Sequence, residues 1–167
     1  TIGRVISNSA VNSNQPCLVK DDNGGAFVAW AESTSSTRYD IYVQRVDSNG
    51  TFLWGPTGKA VYIGDAGQYT WGRATATDGI KGCIVNWIDW RNGDLDIYCQ
   101  RMDSSGNRRF DTLGVSVCTS VGRQTWPKSE NDGCQEVLII WMDRRSGHYI
   151  DLYAQNIDSN GVVHWLE

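Results

Sequence analysis

The sequence predicts an all-β chain built as three four-stranded sheets. Three observations lead there. A segment of about 56 residues occurs three times, its apolar residues follow strand periodicity, and the repeats join across the two chain ends. The clearest copies are DIYVQRVDSNGTFLW from Asp40, DIYCQRMDSSGNRRF from Asp96 and DLYAQNIDSNGVVHW from Asp151, at offsets of 56 and 55 residues. Gly50, Gly106 and Gly161 keep those offsets, as do Trp54, Phe110 and Trp165, and Pro16, Gly72 and Pro127. A second motif precedes each copy: AFVAWAE ending at Glu32, CIVNWID ending at Asp89 and VLIIWMD ending at Asp143. Gly58 and Gly114 are again 56 apart, and one more period, counted on from residue 167 to residue 1, falls on Gly3. The chain therefore reads as one repeat domain, 1–167, with repeats at 16–71, 72–126 and 127–167, the last completed by residues 1–15. Read across the ends, VVHWLE followed by TIGRVIS matches TFLWGPTGKAVYI.

Each repeat divides into four strands. The first follows Pro16, as in Cys17–Lys20, and ends at turn residues: DDNGG, ATDGIKG or ENDGC. The second is a nearly unbroken apolar run such as Val137–Met142, and the third alternates, with Ile41 and Val43 on one face. DSNG or DSSG then makes a tight hairpin, the Asp capping the loop and the Gly taking a positive φ. The fourth strand starts near Trp54 and runs past Gly58. Second and third strands that are apolar on both faces belong to sheets covered on both sides. Four-stranded sheets packed between copies of themselves are the blades of a β-propeller. A monomeric β-trefoil or β-prism also has threefold repetition with joined ends and stands as the alternative.

These residues resemble a propeller-repeat family widespread in bacterial, mostly secreted proteins, whose pattern is W-x-D-x-R, a short gap, D-I-Y-x-Q-R-x-D-x-x-G, then W. The second repeat fits best, with Trp87, Asp89 and Arg91 followed by Asp96 to Gly106. The third keeps Trp141, Asp143 and Arg145 but has Asn156 for the motif Arg, and the first has Glu32 and no following Arg. The resemblance implies a propeller fold more securely than an activity. Propellers close with four to eight blades, so three blades per chain imply two chains: a six-bladed homodimer whose split fourth strand is completed between copies. Small fucose-binding lectins resemble this scheme.

Composition narrows the function. With 15 basic and 19 acidic residues the chain carries a net charge of −4, which argues against a nucleic-acid surface. No apolar run is long enough to span a membrane, and no basic, apolar leader opens the sequence. Of the cysteines, Cys17, Cys83, Cys99, Cys118 and Cys134, none recurs between repeats and none forms a CxxC pair. They lean towards a reducing compartment, and the family resemblance towards secretion, so localisation stays open. Only two histidines, His148 and His164, are present, at different repeat positions, and no nucleophile motif, phosphate loop or metal-ligand spacing occurs; no cofactor or metal is expected.

In a blade the loops after the second and fourth strands share one face. That face gathers Trp71, Asp89, Trp90, Arg91, Trp126, Asp143, Arg144 and Arg145. Indole faces cover the C–H side of a pyranose while Arg and Asp bind hydroxyls, so the set suits a carbohydrate. The repeated W-x-D-x-R residues read first as packing. Trp71, Trp90 and Trp126 lie in loops and are the better candidates. The expected function is a non-catalytic, lectin-like binding module. A protein-interaction scaffold using the same face is the alternative, and an enzyme with a central-channel site comes last.

Overall fold

Turn residues punctuate the chain where the repeat predicts, and strands form between them. The computed structural model describes residues 3–7, 9–35, 38–64 and 74–165, and among these there are eleven strands and no helix. The first sheet contains β1 (Asn12–Lys20), β2 (Ala26–Ser33), β3 (Tyr39–Val46) and β4 (Lys59–Tyr62) in that order. The second contains β5 (Ala74–Thr77), β6 (Cys83–Asp89), β7 (Asp96–Met102) and β8 (Val115–Cys118). The third has three strands, β9 (Gln124–Asn131), β10 (Glu136–Asp143) and β11 (Asp151–Asp158). All pairings are antiparallel. The first strands of the sheets are neighbours, β1 beside β5 and β5 beside β9.

Three features depart from the sequence expectation. Among the described residues the third sheet has three strands, and where a fourth is expected a single bridge joins Val163 to Ile157. The fourth strands start at Lys59 and Val115, later than expected, and only single bridges, Val46 to Phe52 and Met102 to Arg108, precede them. β1 starts before Pro16 rather than after it, because a bulge between Asn14 and Cys17 absorbs the proline that a regular ladder would reject. The same bulge recurs in β9 opposite Ile140 and Met142.

Aspartates make the turns self-sufficient. Asp21, Asp47, Asp78, Asp103, Asp132 and Asp158 each accept two main-chain N–H bonds, from the residues two and four positions on. Asp21 and Asp78 also hold the Nε–H of Arg45 and Arg101 at 2.9 and 2.8 Å, tying the first turn to the third strand. In the third repeat Asn156 replaces that arginine and donates to Glu136 instead.

Two apolar layers hold the sheets face to face. Phe27, Val43, Trp54 and Val61 of the first sheet meet Val85, Trp87 and Met102 of the second. Ile84, Ile88, Cys99 and Val117 of the second meet Val137, Ile139, Trp141 and Ile157 of the third. The second sheet is thus covered on both sides, and every residue of β6 is buried. All five cysteines are free thiols, with Cys83 and Cys99 fully buried and Cys134 exposed. Burial pushes both buried thiols well above the usual thiol range.

Candidate functional site

The W-x-D-x-R motif builds a closed unit at the end of each second strand. Strand alternation puts Trp87 and Asp89 on the same face of β6, and the chain turns immediately afterwards, which brings Arg91 back over them. The Trp87 indole N–H donates to Asp89 Oδ2 at 3.0 Å, and the Arg91 main-chain N–H donates to Oδ1 at 2.8 Å. The Arg91 guanidinium pairs with Asp89 and lies over the Tyr98 ring at 3.9 Å and the Tyr62 ring at 4.8 Å. It also donates to the Leu113 carbonyl at 2.9 Å, linking the loop to the start of β8. Trp141, Asp143 and Arg145 repeat the unit, with indole and guanidinium bonds to Asp143 Oδ2 both at 2.8 Å and the guanidinium 3.8 Å over Tyr153. In the first repeat, among the described residues, the indole bond alone survives, from Trp30 to Glu32 at 2.9 Å.

Asp89 and Asp143 are fully buried, and each carboxylate bonds the indole, main chain and guanidinium of its own unit, with the Arg91 and Arg145 side chains 20 % and 21 % exposed. Asp89, Arg91, Asp143 and Arg145, named as ligand-binding candidates from the sequence, thus take part in packing, while the two guanidinium groups keep a partly exposed edge. Burial works against the charge of Asp143, but bonds from the Arg145 side chain, the Trp141 indole and the Arg145 main chain outweigh it and hold the carboxyl below the usual range. Burial likewise opposes the Arg91 charge, and the hydrogen bond from Asp89 overcomes it and raises the guanidinium pKa. Asp96 is the opposite case. Burial pushes its carboxyl up, against a hydrogen bond from Asn92.

The other candidates remain on the surface. Three loops meet at this end of the second and third sheets: the Arg144 N–H donates to the Arg123 carbonyl at 3.0 Å, and the Gln124 N–H to the Leu95 carbonyl at 2.7 Å. Trp90 is exposed, and the Arg123 guanidinium stands 5.9 Å from its ring. Arg144 is exposed beside them. Trp126, two residues into β9, is 53 % exposed and sits at the bulge with a φ of 55°, in the left-handed region that a bulky side chain rarely enters. Gln15, its counterpart in the first repeat, has a φ of 50°. Trp71 lies outside the described residues. Arg123 joins the cluster although it stands in no repeated motif; its only sequence signal is its place in the loop leading to Trp126.

No family model and no curated protein matches the chain. Among solved structures it is similar to an endo-arabinase from Bacteroides thetaiotaomicron VPI-5482, with a TM-score of 0.58 and 14 % identity. The match covers 92 % of this chain and 58 % of that one, so the chain spans little more than half the length of its structural neighbour. Their likeness is one of fold.

Proposed function

We propose that this chain is a non-catalytic carbohydrate-binding module whose three sheets are blades of a β-propeller, six-bladed when two chains combine. The observation that carries the reading is Trp126. Gln15 adopts the same positive φ at the same bulge, so the backbone there does not require an indole. An exposed Trp in a strained position, three residues after the Arg123 that stands over Trp90, is surface that packing leaves unexplained. An indole and guanidinium groups within one cluster offer the C–H stacking and hydroxyl hydrogen bonds a sugar ring needs.

The inward turn of Asp89 and Asp143 supports a binding role over a hydrolytic one, because a glycosidase needs its two carboxylates facing the scissile bond. A second reading, a protein-interaction scaffold, draws on the same observation: the repeated motif is spent on packing, and the exposed cluster fits a protein as a rim of Trp and Arg. A glycan array separates the two. Wild-type binding to particular glycans is expected, with Trp126→Ala weakening it by about 1–3 kcal/mol while leaving the thermal midpoint unchanged. Absence of any glycan signal, or equal binding by a folded Trp126→Ala variant, rejects the carbohydrate reading.

A further inference from the structure

We propose that a second copy of this chain completes the third sheet: residues 3–7 of each copy pair as a fourth strand with β11 of the other, and Trp165 of each seats on the 47–50 turn of the other. The inference rests on the propeller reading of the sheets and is independent of sugar binding.

Register comes first. β4 pairs Tyr62 with Ile41, Ala60 with Tyr42 and Lys59 with Val43. β8 repeats this with Cys118 on Ile97, Ser116 on Tyr98 and Val115 on Cys99. On β11 the equivalent residues are Leu152, Tyr153 and Ala154, which no fourth strand covers among the described residues. One further period along the sequence names their partners as Ser7, Val5 and Arg4. The unpaired edge is also apolar. Ile41 and Ile97 are fully buried, whereas Leu152 is 78 % exposed.

Residues 3–7 already occupy the matching place on the first sheet. At the second repeat's hairpin, Gly106 faces Lys59 and Trp54 of the preceding repeat; at the third, Gly161 faces Val115 and Phe110. At the first, Gly50 faces Arg4, the periodic equivalent of Lys59 and Val115. Arg4 donates to the Gly50 carbonyl at 2.6 Å and lies 4.4 Å over Phe52. The aromatic partner is what this third turn lacks among the described residues.

Trp165 is that aromatic. Its main-chain N–H donates to Gln155 Oε1 at 2.8 Å, as Trp54 donates to Gln44 at 3.0 Å and Phe110 to Gln100 at 2.9 Å. The main chain at Trp165 is therefore held as it is at Trp54 and Phe110, yet the Trp165 residue is 52 % exposed where Trp54 is 4 %. The faces agree as well. A cleft lined by Ile6, Val28 and Trp30 opens on the first sheet, and Leu138 and Ile140 stand open on the third. They correspond to the two halves of the layers that already join the first sheet to the second and the second to the third.

Residues 3–7 do not reach β11 of their own chain, because Arg4 is fastened to the first sheet and β11 belongs to the third, with the second sheet between them. Two copies related by a twofold axis fill both vacancies at once and leave no open sheet edge at either junction.

Light scattering on the wild-type chain is expected to give about twice 18.6 kDa at micromolar concentration. In a Cys134→Ser background, Ser7→Cys and Leu152→Cys preparations are mixed and oxidised. A covalent pair is expected in the mixture and in neither preparation alone. Leu152→Asp is expected to weaken the dimer by about 100-fold with an unchanged β dichroism spectrum. A monomer, an assembly of any other number, or no covalent pair in the oxidised mixture overturns the proposal. A dimer that binds no glycan leaves it standing and rejects the carbohydrate reading alone.

Discussion

The second and third sheets carry nearly the same sequence pattern and meet different fates. In the second, Ile97 is sealed between a neighbouring sheet and β8; in the third, the matching Leu152 faces solvent. Trp87 stacks between Tyr62 and Tyr98, at 5.3 and 6.4 Å, while among the described residues Trp141 stacks on Tyr153 alone, at 6.3 Å. Burial here is decided by what lies next to a sheet, and the pattern in the sequence records the neighbours a sheet is built to have. On the dimer proposal, the exposed apolar residues of the first and third sheets are the two halves of a third interface.

A charge placed at the equivalent positions separates the two sheets most strongly. Ile97→Asp should abolish cooperative folding, since it buries an unpaired carboxylate, and Leu152→Asp should leave the fold intact; urea denaturation of the two variants checks this. Next comes the indole. Trp87→Ala should lose about 3–5 kcal/mol of unfolding free energy, the cost of emptying a fully packed site, with a smaller loss for Trp141→Ala.

A third expectation concerns acid. Asp143 is held below its unfolded value, so its contribution is fully present above the ordinary carboxylate pKa of about 3.9 and is lost as pH falls through the depressed native value. Asp96 has the opposite sign: raised in the native state, it costs stability once pH climbs through that raised value. Asp143→Asn should therefore flatten the acid limb of the stability curve measured by denaturant titration, and Asp96→Asn should gain relative stability towards neutral pH. The smallest effect sharpens the contrast between the first and third repeats. Trp126→Gln, which installs the residue found at position 15, should shift stability by no more than ~0.5 kcal/mol.

Much of this was legible in the sequence. The repeat located the sheets, the Asp-containing turns and the two-sided burial of β6, because each follows from local spacing and from apolar runs. Less legible was the role of Asp89 and Arg91. Residue type alone does not separate a carboxylate aimed outward from one folded back under its own arginine; that depends on the turn after β6 carrying Arg91 over Tyr98. The bulge at Gln15 and Trp126 was also hidden, since a proline beside an otherwise plain strand residue reads as a strand boundary, and its positive φ is set by pairing with the next strand. Arg123 gave no periodic signal at all, and cluster membership came to it through the folding of three separate loops.

The thiols of the second sheet have a kinetic consequence. Cys83 and Cys99 flank the most enclosed part of the molecule, and burial disfavours their reactive thiolate form. A thiol reagent therefore meets them only when that sheet opens, whereas Cys134 reacts from the intact surface. The slow phases of labelling become a clock for opening events, and the fast phase supplies its internal zero. Because Cys83 lies in the layer towards the first sheet and Cys99 in the layer towards the third, the two slow phases time the two interfaces separately.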